Sequence, residues 1–237
     1  MPPPTPPRRT RVAVVALVLL AAVAVLAWRP VVGWAERAAA PCSVVVAGER
    51  VPLDREQAQA AAATAAGDGD VAAPAGAGIP EGVVEAVRGA RESTALTCRT
   101  SAPDVVAQEL TADGLTPRAQ TVLEEVRRSF PELPTGGFAP GGVDSGHGAE
   151  STHYDGRAVD VFLRPVSEAN RDRGWILAQW LVAHAEELAV QYVIFDDHYW
   201  GVRESVRGWQ DYRVPGGSQD PVLRHLDHVH VDVLRGE

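Results

Sequence analysis

Residues 151–160 read STHYDGRAVD and residues 227–233 read DHVHVDV. Imidazoles and carboxylates are the side chains that hold zinc and move protons near neutral pH. In the first stretch, Asp155-Gly156 between His153 and Asp160 is a strong signal for a two-residue hairpin turn. If that hairpin forms, His153 faces Ala158. Ala158, Asp160 and Phe162 share one strand face, so His153 falls on the side of Asp160, while Val159, Val161 and Leu163 point toward a core. In the second stretch, alternation puts His228, His230 and Asp232 on one face and Val229, Val231 and Val233 on the other. Histidines on one face of a half-buried strand either face water or bind something, because unpaired polar groups are costly to bury.

Taken together, His153, Asp160 and His230 form a zinc set of two imidazoles and a carboxylate, with a fourth position left for water. One zinc ion there lowers the pKa of its water to about 7 and polarises a carbonyl. A general base must then stand beside the water, and Asp227 and His228 are the candidates. Asp227 has the wrong parity for the strand, so it has to sit in the preceding loop and curl inward. Three further histidines read differently: His147 as exposed in a glycine-rich loop, His184 as a satisfied core residue, and His225 as a loop residue ahead of an extra ligand.

These two stretches carry a resemblance. Ser151, His153, Gly156, Ala158 and Asp160 match the pattern Ser-x-His-x-x-Gly-x-Ala-x-Asp, and Asp227, His228 and His230 match an acidic residue followed by His-x-His. The chain thereby resembles the zinc D-alanyl-D-alanine carboxypeptidases of the VanY kind, more distantly the lysostaphin-like endopeptidases, and by fold the hedgehog signalling domain. The resemblance covers residues 117–235. It implies His153, Asp160 and His230 as zinc ligands, Asp227 as base and His228 as oxyanion stabiliser. It also implies peptide-bond hydrolysis in peptidoglycan stem peptides, by a carboxypeptidase or an endopeptidase. Such peptidases carry an arginine shortly before the first motif, and this chain has none between Arg128 and Arg157. Arg203, Arg207 or Arg213 is the expected replacement, with Trp200, Trp209 and Tyr212 as cleft walls and Ser151 beside the substrate. A non-catalytic zinc module binding wall peptide or a protein partner is the alternative.

The elements that must position these residues are legible in part. Thr116 caps a helix with Pro117 in its first turn and apolar positions at 122, 123, 126 and 130. A strand is expected over 157–163, a helix over 167–188, a buried strand over 190–196, an irregular Trp/Arg-rich loop over 197–224 and a last strand over HVHVDVL. Strands and helices that mostly do not alternate predict an α+β fold, a small and mainly antiparallel sheet with flanking helices over 116–237. Upstream, 43–53 reads as two short strands about a turn, Asp54 as a helix cap, 67–80 as a linker and 81–92 as a helix. Residues 30–115 then form an extracytoplasmic spacer without site chemistry.

The chain of 237 residues is 46% hydrophobic, enough for a substantial core, and its net charge of −9 argues against nucleic-acid binding. Arg8, Arg9 and Arg11, in an expected cytoplasmic tail (1–11), precede an apolar run over 12–28 that Arg29 closes, an expected anchor over 12–29. That pattern predicts a single-pass membrane anchor with the remainder outside the cell membrane; a cleaved signal peptide is the rival reading. In an exported chain, Cys42 and Cys98 are expected to pair as a disulfide worth about 3–4 kcal/mol.

Overall fold

The computed structural model describes residues 40–67, 78–148 and 150–237. The expected anchor at 12–29 and most of the expected linker at 67–80 lie outside these residues. Among the described residues, no helix is long and apolar enough to cross a membrane.

Two antiparallel sheets and four α-helices make up the described chain, an α+β arrangement. The first sheet orders its strands β2-β1-β3, with β1 Cys42–Val46, β2 Glu49–Leu53 and β3 Thr97–Cys98. Cys42 and Cys98 are direct cross-strand partners and form the disulfide. Helix α1, Arg55–Ala66, starts on a capping box: Asp54 accepts from the Gln57 backbone N–H at 2.8 Å, and the Gln57 side chain accepts from the Asp54 N–H at 3.0 Å. Helix α2, Val83–Gly89, is shorter than the expected 81–92, because Gly82 in the left-handed region starts it and Ala90 returns to extended backbone.

The second sheet carries the two chemical stretches. Its order is β4-β5-β9-β6-β7-β8, every neighbouring pair antiparallel. Helix α3, Pro117–Ser129, is capped by Thr116 as expected and buries Val122, Leu123 and Val126. Strands β4 Thr135–Gly136 and β5 Ala158–Phe162 follow, then helix α4, Glu168–Ala183, capped by Ser167. The remaining strands are β6 Val190–Phe195, β7 His198–Gly201, β8 Gln210–Asp211 and β9 His228–Val233. Although β9 comes last, it lies between β5 and β6. Val159 and Val161 of β5 and Val229, Val231 and Val233 of β9 enter the core, each fully buried valine contributing about 1.5–3 kcal/mol.

Residues 41–66 and 78–115 pack onto this sheet domain rather than hanging from it. Helix α1 lies against α4, and the core is continuous across both parts. Gln179 of α4, fully buried, stitches them together. Its amide donates to Val87 O at 2.9 Å and Trp175 O at 3.0 Å, and its carbonyl accepts from Leu96 N at 2.7 Å. These bonds satisfy a polar group that would otherwise be costly to bury.

Three local expectations are corrected. The hairpin about Asp155-Gly156 is absent: residues 152–156 form a compact turn closed by Arg157 N–H to Thr152 O at 3.1 Å. Gly156, at φ +62°, sits where a Cβ would meet Leu110 and the Gly114 carbonyl oxygen, and its own carbonyl accepts from Thr116 N–H. The stretch 197–224 is not wholly irregular, since β7 and β8 extend the sheet and residues 202–207 form a 3-10 turn. Finally, α4 stops at Ala183, five residues short of the expected end, with His184 as its cap.

Candidate metal centre

Register builds the first half of the site. Asp160 on β5 and His230 on β9 are direct cross-strand partners, so both side chains leave the sheet on one face. The His230 Nδ1 lies 3.1 Å from Asp160 Oδ1. A different device delivers His153, since it lies in the compact turn and not on a strand. Its Nε2 reaches Asp160 Oδ1 at 3.3 Å. Ser151 Oγ accepts from His153 N–H at 3.4 Å, so Ser151 caps the turn that carries the histidine. All three residues are buried, and their ligand atoms lie within 4.8 Å of one another.

The surroundings prepare these atoms for a cation. His153 Nδ1–H donates to Gly137 O at 2.7 Å, which leaves the Nε2 lone pair facing Asp160. Gly137, at φ +82°, follows β4, and a Cβ there would stand 2.3 Å from His153 Cε1 and 3.1 Å from Asp160 Oδ2. Only glycine lets the backbone come this close. His147 stacks on His153 at 4.1 Å between ring centroids, and Tyr192 of β6 stacks on His230 at 5.6 Å. Burial alone would favour the neutral acid at Asp160, but the histidines His153 and His230 beside it outweigh burial and hold the carboxyl well below the usual carboxylate range. Burial pushes the His230 pKa down, against the pull of Asp160, which favours the neutral, ligating imidazole. Two imidazoles and one carboxylate suit a zinc-like divalent ion.

A second group of residues reaches the centre from outside. His228, the first residue of β9, points Nε2 toward Asp160 Oδ1 at 3.7 Å and sets Nδ1 2.8 Å from Asp227 Oδ1. The other oxygen of Asp227 accepts from Arg164 Nε at 2.6 Å. Asp227 continues the β5–β9 pairing through Leu163 N–H to its carbonyl at 2.8 Å, and its side chain turns inward as the parity argument requires. Burial raises the Asp227 pKa, yet the bonds from His228 and Arg164 leave it lowered overall. His225 completes the rim, with ring centroids 4.7 Å from His228 and 5.1 Å from Tyr212. Burial, reinforced by His228 and His230, pushes its pKa down to about 3.

The expected substrate-binding residues divide. Tyr212 stands at the rim through His225. Trp200 and Trp209 do not wall a cleft: both are buried, with Trp209 Nε1 donating to Leu96 O at 3.0 Å and its ring against Trp175. Strand β7 carries Trp200 into the core, which an irregular loop would not have done. Arg203, Arg207 and Arg213 are exposed, and among the described residues no hydrogen bond or ion pair ties them to the histidine cluster. Asp232, third on the polar face of β9, pairs with Arg157 Nη1 at 3.0 Å. Sequence reasoning missed Arg164, although the alternation Asp160, Phe162, Arg164 places it on the site's face. It also missed Gly137, whose role depends on a close approach that no local signal announces.

The structure therefore presents an antiparallel α+β domain bearing a His-Asp-His cluster able to hold a metal ion. A family model described as VldE, C-terminal domain, matches residues 111–222. The match takes in His153 and Asp160 and stops before Asp227, His228 and His230. No curated protein and no solved structure matches the chain.

Proposed function

We propose that this chain is a zinc peptidase of the VanY-like kind, anchored in the cell membrane and hydrolysing peptide bonds of peptidoglycan stem peptides on the outer side. The observation that carries the reading is the convergence of His153, Asp160 and His230 within 4.8 Å, with the Asp227–His228 pair beside them. Zinc, when bound there, supplies a Lewis acid and an acidified water. The protein's own residues do the rest: Gly137 fixes the His153 tautomer, Asp160 stays ionised, and Asp227 and His228 handle the proton. Arg8, Arg9 and Arg11 and the apolar run at 12–28 motivate the anchor.

The test is a digest of purified muropeptides by the full-length, zinc-loaded protein, with and without chelator. Release of D-alanine or a cut stem peptide is expected, abolished by chelation and by His230→Ala and restored by zinc in the wild type alone. A zinc-loaded protein that leaves every stem peptide intact overturns the reading. A non-catalytic module binding wall peptide or a protein partner is the second reading, favoured by the engagement of both Asp227 oxygens. Asp227→Asn separates the two: it stops hydrolysis in an enzyme and spares binding in a module.

A further inference from the structure

We infer that Arg164 is a positioning residue of this centre, acting through Asp227 to orient the His228 ring toward the cluster. The inference rests on the peptidase reading and assigns roles within it.

Four groups run in file from the surface to the ligands. Arg164 Nε donates to Asp227 Oδ2 at 2.6 Å, His228 Nδ1 donates to Asp227 Oδ1 at 2.8 Å, and His228 Nε2 faces Asp160 Oδ1 at 3.7 Å. Both carboxylate oxygens of Asp227 are engaged by groups other than the ligands. With Nδ1 turned to Asp227, Nε2 is the edge of the His228 ring that faces the cluster. This is the base–orienter arrangement, in which a buried carboxylate selects the tautomer of a histidine.

Arg164 is held for this task. Its guanidinium lies 4.3 Å over the ring of Phe162, and Phe162 is the cross-strand partner of His228. The neighbouring Leu163 N–H binds the Asp227 carbonyl, so backbone and side chain fix the same aspartate. The Arg164 side chain is 54% exposed, a setting in which an ion pair adds little to stability. Loss of Arg164 is therefore expected to alter the centre far more than the fold.

The test uses the full-length, zinc-loaded protein with 15N-labelled histidine. Long-range 1H–15N correlation reads the His228 tautomer in wild type, Arg164→Gln and Arg164→Lys, with zinc content checked in each. The Nδ1–H form is expected in wild type and Arg164→Lys, and averaging between tautomers in Arg164→Gln. On a cleaved stem peptide, Arg164→Gln is expected to lower kcat about tenfold or more at nearly constant KM. Adding Arg164→Gln to Asp227→Ala is expected to cost nothing further, because both act through one unit. An unchanged His228 signature in Arg164→Gln overturns the inference. So does a rise in KM at constant kcat, which would make Arg164 a substrate grip. A wild-type protein that cleaves no stem peptide removes the peptidase reading, while the tautomer measurement still decides whether Arg164 orients His228.

Discussion

At the scale of the residue, the centre depends on a glycine as much as on its ligands. Gly137 gives its carbonyl to His153 and leaves no room for a side chain beside that ring. Gly137→Ala is expected to keep the fold and weaken zinc binding about 10–100-fold, measured by competition with a chromophoric chelator. His153, Asp160, His228 and His230 were legible because ligand chemistry and strand alternation are local signals. Gly137 was not, because its constraint comes from a neighbour 16 positions away that only folding brings near. Arg164 lay between these cases: its parity was visible, but the expectation of a cation fell on Arg203, Arg207 and Arg213.

At the scale of the element, strands were read better than the turns between them. The alternation of HVHVDV predicts β9 and both of its faces. Asp155-Gly156 failed as a hairpin signal because the positive φ of Gly156 serves a compact turn wedged against Leu110 and Gly114. A flat sequence reading could not anticipate that contact. The end of α4 offers a test with protons. His184 caps it, stacks on Trp180 and bonds the Trp180 carbonyl through Nδ1, and burial lowers its pKa. As pH falls below about 6.5, the unfolded chain takes up a proton that the folded histidine resists, so stability is lost toward acid and is fully present above that range. His184→Asn is expected to flatten the decline of the unfolding midpoint between pH 7 and pH 5, read by thermal melts of both proteins. An equal slope in the two would show that His184 titrates alike in both states.

At the scale of the whole molecule, residues 41–66 and 78–115 are part of the body that holds the centre. Gln179 and the shared core join them to α4, and the Cys42–Cys98 disulfide ties β1 to β3 among them. Replacing both cysteines by serine is expected to cost about 3–4 kcal/mol in denaturant unfolding, with the zinc stoichiometry of the folded protein unchanged. The pairing was legible from composition alone. The packing was not, because the alanines of α1 give little amphipathic contrast to reveal which face is covered. The sheet order has a consequence for the chain as it is made. β9 is the latest strand in sequence but fills the slot between β5 and β6, and it brings His230, the third ligand. Until residues 228–233 emerge, β5 and β6 expose their pairing edges to each other across a gap. The growing polypeptide then holds two of the three residues of the cluster. A chain cut before residue 228 is therefore expected to leave the facing edges of β5 and β6 unpaired and to lack one member of the His-Asp-His cluster.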